Sequence, residues 1–173
     1  MSINAFHSPP SQGGARGESV RGESVRGESE IKWIVIHCSA TKLSQDFSIE
    51  RIRKIHVEEK GMIDVGYHYY IRKNGVLEIG RPEDQIGAHV KGFNDKSIGV
   101  CYEGGLAEDG SPSDTRTAEQ IMTMHRLLRD LRRKYPTAKI VGHRDLLKYR
   151  TKSCPCFDAI PYYQYLDAFV ASK

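Results

Sequence analysis

The run Ile31-Lys32-Trp33-Ile34-Val35-Ile36-His37 constrains the fold more than any other stretch of this chain. It is nearly continuous in apolar, mostly β-branched residues, and only Lys32 breaks it. A strand of that kind is buried on both faces, which calls for a sheet with cover above and below it. Alternation places Trp33, Val35 and His37 on one face and Ile34, Ile36 and Cys38 on the other. Cys38 therefore reads as a small core residue. His37 stands at the C-terminal end of the run, where open α/β sheets present their chemistry.

The following segments supply the cover. Ser48 can cap a helix whose Ile49, Ile52 and Ile55 face inward, with Gly61 as its stop. His56 on that helix reads as a surface or boundary residue. Gly66 to Lys73 is an aromatic-rich strand, Asn74-Gly75 a hairpin signal, and Val76 to Ile79 the returning strand. Ala88 to Asn94 forms a polar loop. Ser97 to Tyr102 is another strand, with Cys101 in its core and Gly104-Gly105 as its end. Thr117-Ala118-Glu119-Gln120 is a capping box that opens the longest helix, with Ile121, Met124, Leu128 and Leu131 as its stripe and Pro136 as its limit. Arg129 to Lys134 reads as that helix's solvated face, and His125 as an edge residue. Ala138 to His143 is a short strand. Asp158 can cap a last helix carrying Tyr162, Leu166 and Phe169. This order predicts an α/β fold: one domain over residues 31–173 with a central mixed β-sheet flanked by helices.

Residues 1–30 differ from the rest. From Arg16 the motif Arg-Gly-Glu-Ser-Val repeats with little apolar content and balanced charge, which cannot offset chain entropy, so a disordered tail is expected. At 173 residues the chain holds one domain with a sizeable core. No apolar run reaches membrane-span length, and no basic segment followed by an apolar one marks the N-terminus as a secretory signal. Synthesis in the cytoplasm follows, and the four cysteines then read as reduced thiols or metal ligands rather than a disulfide framework. The net charge of +4 suits an anionic polymer, cell wall or nucleic acid, without choosing between them. No nucleic-acid recognition motif is visible, so no nucleic-acid partner is expected.

The chemistry concentrates at the strand ends. His143 closes the run before Arg144-Asp145, and Cys154 follows it by eleven positions in Lys152-Ser153-Cys154-Pro155-Cys156-Phe157. If the strands ending in His37 and His143 are neighbours, two imidazoles and one thiolate can meet around zinc and leave a position open to water, as hydrolysis requires. Taken singly, each histidine also fits a structural role, and Cys154 an inert thiol. Tyr67 could donate a hydrogen bond, and Lys152 a charge-assisted one, to an oxyanion. A half-buried sheet tyrosine and a solvated loop lysine fit those positions equally well. Asp145 could support loop backbone or a ligand imidazole.

Four ordered segments carry a resemblance: Trp33 to Thr41 (WIVIHCSAT), Asp64 to Arg72 (DVGYHYYIR), Gly87 to Gly105 (GAHVKGFNDKSIGVCYEGG) and Lys152 to Asp158 (KSCPCFD). Together they are similar to the zinc N-acetylmuramoyl-L-alanine amidases of the amidase type 2 family, which includes small phage endolysins and animal peptidoglycan recognition proteins. The likeness is strongest to the phage lysozyme-like endolysins and spans about residues 31–170. It implies that His37, His143 and Cys154 hold one zinc ion, with Tyr67 and Lys152 as catalytic residues. It also implies cleavage of the amide between the lactyl group of N-acetylmuramic acid and L-alanine. Relatives that bind without cutting commonly carry serine at the third ligand position, where this chain has Cys154. Cys156 departs from the family pattern.

His68, His89 and Asn94 lie in the motif segments and could line a groove for the stem peptide or sugar. The expected partner is peptidoglycan, met by a monomer after lysis or export by another route. Two other readings keep the same residues. A non-catalytic peptidoglycan-binding module would have the groove without the reaction, and a cysteine peptidase would use Cys154 as nucleophile with His143 or His37 as base.

Overall fold

The structure, a computed structural model, describes residues 30–147 and 153–168. The tail expected over residues 1–30 lies outside that range apart from Glu30, as do Lys152 and Phe169. In chain order the elements are β1 (Trp33–Cys38), β2 (Thr41–Lys42), α1 (Ile49–Lys54), β3 (Tyr69–Ile71), β4 (Leu77–Ile79), β5 (Ser97–Tyr102), β6 (Gly105–Leu106), α2 (Ala118–Lys134), β7 (Lys139–Gly142), α3 (Ala159–Tyr163) and α4 (Tyr165–Ala168).

The main sheet has the order β4-β3-β5-β1-β7. β1 lies inside the sheet between β5 and β7 and is parallel to both, while the hairpin makes β4 antiparallel to β3. This is the mixed sheet that the sequence predicts. One face carries Ile34, Ile36 and Cys38 with Ile98, Val100 and Tyr102, and packs on Met124, Leu128 and Leu131 of α2 and on Ala159, Tyr163 and Leu166. The opposite face carries Val35 against Val90 and Val141, and Tyr70 and Cys101 against Ile49 and Ile52 of α1. The two-sided burial inferred from β1 is therefore real: α2 covers one face, and on the other α1 packs on β3 and β5 while Val90 and Phe93 of the loop before β5 cover β1.

Capping follows the local chemistry. Ser48 Oγ accepts from Arg51 N, and Thr117 and Gln120 exchange the reciprocal bonds of a capping box. Several expectations are corrected. α1 continues as a π-helical turn over Ile55–Glu59, which carries His56 inward to 6% exposure rather than to the surface. Arg132 leaves the solvated face of α2: its guanidinium donates to the carbonyls of Pro136 and Ala138 and pairs with Asp167 at 3.3 Å, tying the helix end to β7 and α4. Asp158 does not cap α3 with its side chain and pairs instead with Arg144. Tyr163, rather than Tyr162, enters the core. β2 and β6 form a small parallel pair that no periodicity in two-residue strands could announce.

Candidate metal centre

β1 and β7 run side by side with Ile36 level with Gly142, so the next residue of each, His37 and His143, leaves the sheet at the same height. Their rings meet at a centroid distance of 4.6 Å. The loop after β7 returns Cys154 to this point, with its Sγ 3.9 Å from His37 Nδ1. The ligand atoms of His37, His143 and Cys154 all lie within 4.8 Å of one another, and this is the metal-competent cluster among the described residues. His37 is buried, whereas His143 and Cys154 are partly exposed, so the cluster opens to solvent on one side.

Small details of the chain make this approach possible. A Cβ on Gly142 would stand 2.6 Å from Pro155 Cδ, so the glycine admits the ligand loop against β7. Arg144 N donates to Cys154 O at 3.0 Å, and Asp145 Oδ2 accepts from Gly142 N at 2.8 Å, holding the turn that carries His143. Cys38 N donates to Cys154 Sγ at 3.3 Å, a contact that favours the thiolate. Cys156 turns away from the cluster: its thiol donates to Gly105 O at 3.2 Å and lies 3.8 Å from Cys38 Sγ. That contact with Cys38, and then burial, pushes the Cys156 thiol well above its usual pKa. None of the four cysteines forms a disulfide.

The Tyr67 ring lies 5.2 Å from the His37 ring, tilted at 50°. Burial, and then the nearby Cys101, Cys154 and Cys38 thiols, holds its phenol well above the ordinary value, so it stays a proton donor. Lys152 lies outside the described residues.

The other expected site residues take scaffold positions. His68 Nδ1 accepts from Gly99 N at 2.9 Å, and its Nε2 lies 3.1 Å from Gln85 O. Asn94 Oδ1 accepts from the backbone N–H groups of His89 and Val90. His89 sits behind His37, with Nδ1 3.0 Å from His37 Nε2. These bonds hold the inner wall of the centre. In physical terms, each of these polar groups is satisfied by the protein itself.

Sequence reasoning gave no role to His56, whose ring lies 5.5 Å from Tyr67, tilted at 53°, and whose Nδ1 accepts from Gly66 N at 3.0 Å. Burial lowers its pKa to about 4; Lys60 and Arg81 push the same way, and Asp64 opposes them. The unfolded chain thus binds more protons between roughly pH 6.5 and 4, and stability present above that window falls as the pH drops through it. The loss attributable to His56 is about 3 kcal/mol at most. Urea unfolding at pH 7 and pH 4.5 checks this, with His56→Asn, which keeps an acceptor in place of Nδ1, expected to shrink the difference. An unchanged difference in that variant would place the acid sensitivity elsewhere.

Known proteins resemble this chain in sequence and in fold. The family model described as N-acetylmuramoyl-L-alanine amidase matches residues 27–157. The endolysin of Enterobacteria phage K11 is 43% identical over 129 residues, 75% of this chain and 83% of the relative. The endolysin of Klebsiella phage KP32 is 42% identical over 129 residues, with the same coverage. Among solved structures, the N-acetylmuramoyl-L-alanine amidase LysC from Clostridium intestinale superposes with a TM-score of 0.65 at 28% identity, covering 84% of this chain and 88% of that one.

Proposed function

The chain belongs to the N-acetylmuramoyl-L-alanine amidase family, and from that premise we propose that it hydrolyses the amide between the lactyl group of N-acetylmuramic acid and L-alanine in peptidoglycan. We assign one zinc ion to His37, His143 and Cys154. The observation that carries this reading is the meeting, within 4.8 Å, of an imidazole from β1 with an imidazole and a thiol from a part of the chain more than a hundred residues later. The donor set fits the ion. One thiolate and two neutral rings leave zinc a net positive charge, and three protein ligands match hydrolytic rather than structural centres. Bound there, zinc supplies Lewis acidity and lowers the pKa of coordinated water.

The chain's own groups do the rest. Cys38 N–H and the His89 ring hold Cys154 and His37 in place. The Tyr67 hydroxyl, held protonated, is assigned as a donor to the lactyl carbonyl oxygen as negative charge develops on it. Lys152 is assigned as a second, charged donor. One of the two, or a water, returns a proton to the leaving amine. The net charge of +4 favours approach to an anionic wall, which the protein meets after lysis or export. No helix of the described residues is long and apolar enough to cross a membrane.

The test is digestion of purified cell wall with and without a chelator, with mass spectrometry of the products. We expect new L-alanine amino termini, loss of that release with chelator, and its return with added zinc. A cysteine peptidase would survive chelation and fail with a thiol alkylator. A binding module would release nothing whatever metal is supplied.

A further inference from the structure

We propose that His89 is the positioning residue that sets the tautomer and orientation of His37 for metal binding, an inference that rests on the zinc reading above. The two rings stand nearly perpendicular, at 87°, with centroids 5.0 Å apart. His37 Nε2 and His89 Nδ1 are 3.0 Å apart, and His89 Nε2 is 3.3 Å from Ser97 Oγ. His37 is 1% exposed, His89 9% and Ser97 0%, so solvent gives these nitrogens little help.

The position of Cys154 orients the row. Its Sγ faces His37 Nδ1, so Nδ1 is the nitrogen available to the ion and cannot carry a proton there. His37 Nε2 then carries the proton and donates it to His89 Nδ1. His89 is left as the Nε2–H tautomer, donating to Ser97 Oγ. Ligand histidines commonly use a carboxylate or a backbone carbonyl for this purpose. A neutral imidazole accepts the bond without adding negative charge, so the ion keeps more of its Lewis acidity.

The chain is shaped to hold this ring. A Cβ on Gly99 would lie 2.7 Å from His89 Cγ and Cδ2, and one on Gly87 would lie 2.7 Å from His89 Cδ2. The two glycines clear the space that the imidazole fills. Asn94 Oδ1 accepts from His89 N at 2.9 Å and from Val90 N at 2.8 Å, fixing the backbone that delivers the ring.

The experiment measures zinc affinity by competition with a chromophoric chelator, using zinc alone as the probe. His89→Ala is expected to weaken binding by about 10- to 100-fold. His89→Asn, whose Oδ1 replaces Nδ1 as acceptor, is expected to recover most of the loss, which a merely space-filling role would not predict. Gly99→Ala should weaken binding in the same direction, since it displaces the ring without removing the acceptor. Nitrogen-15 spectra of zinc-free wild-type protein above pH 8 add a readout that needs no variant, and should show His37 protonated on Nε2. A His89→Ala protein that binds zinc within about twofold of wild type, or a His37 protonated on Nδ1, overturns the inference alone. A wild-type protein that binds no zinc overturns the zinc reading and this inference with it.

Discussion

Replacing Cys154 by serine is expected to lower amide hydrolysis by at least about a thousandfold, roughly 4 kcal/mol of transition-state stabilisation. A serine hydroxyl stays protonated at neutral pH and is a poor zinc ligand, whereas the thiolate supplies the only anionic donor of the cluster. Metal analysis of the purified variant should show zinc reduced in step with activity. Both a metal ligand and a catalytic nucleophile would be lost by this change, so Cys154→Asp separates them. An aspartate still offers an anionic oxygen to zinc and should retain measurable metal and part of the activity. A nucleophilic cysteine would leave nothing in that variant. Zinc content equal to wild type in Cys154→Ser would remove Cys154 from the ligand set.

The second large effect is on stability. Glu103 is fully buried, and its carboxylate joins three segments. It accepts from Phe47 N at 2.7 Å, from Lys73 N at 3.0 Å and from Arg72 Nε at 3.1 Å. Arg72 also pairs with Glu78 and Asp46, so the hairpin, the loop before α1 and the end of β5 share one network. Glu103→Ala leaves Arg72 Nε and two backbone donors without their acceptor, at a cost of about 3–5 kcal/mol. At a typical urea dependence this moves the unfolding midpoint by about 2 M. Glu103→Gln keeps one acceptor oxygen and should lose less. A shift equivalent to under about 1 kcal/mol in Glu103→Ala would mean that water replaces the carboxylate there.

Glu103 also marks the edge of what could be read in advance. An acidic residue directly after the apolar strand Ser97–Tyr102 is a signal, but it names no partner. Phe47 and Arg72 lie far away in sequence and become neighbours only when β3 pairs with β5. His56 is a similar case. Its burial follows from one π-helical turn, which rotates the helix relative to the regular 3.6-residue period used to place it. Arg132 lies within a basic run that looks solvated until Pro136, Ala138 and Asp167 are brought against it. His89 was visible as part of a motif, but its partner His37 lies 52 residues earlier.

The chain's local chemistry by itself determined the two-sided burial of β1, the caps of α1 and α2 and the hairpin. Each of these depends on side-chain periodicity or on groups a few residues apart. Tertiary structure alone decided that β1 and β7 are adjacent, that His37 presents Nδ1 to Cys154 and Nε2 to His89, and that His68 and Asn94 serve the backbone. Those outcomes depend on parallel pairing between distant strands, and a ring's hydrogen-bond partners are set by whichever residues that pairing brings within about 3 Å.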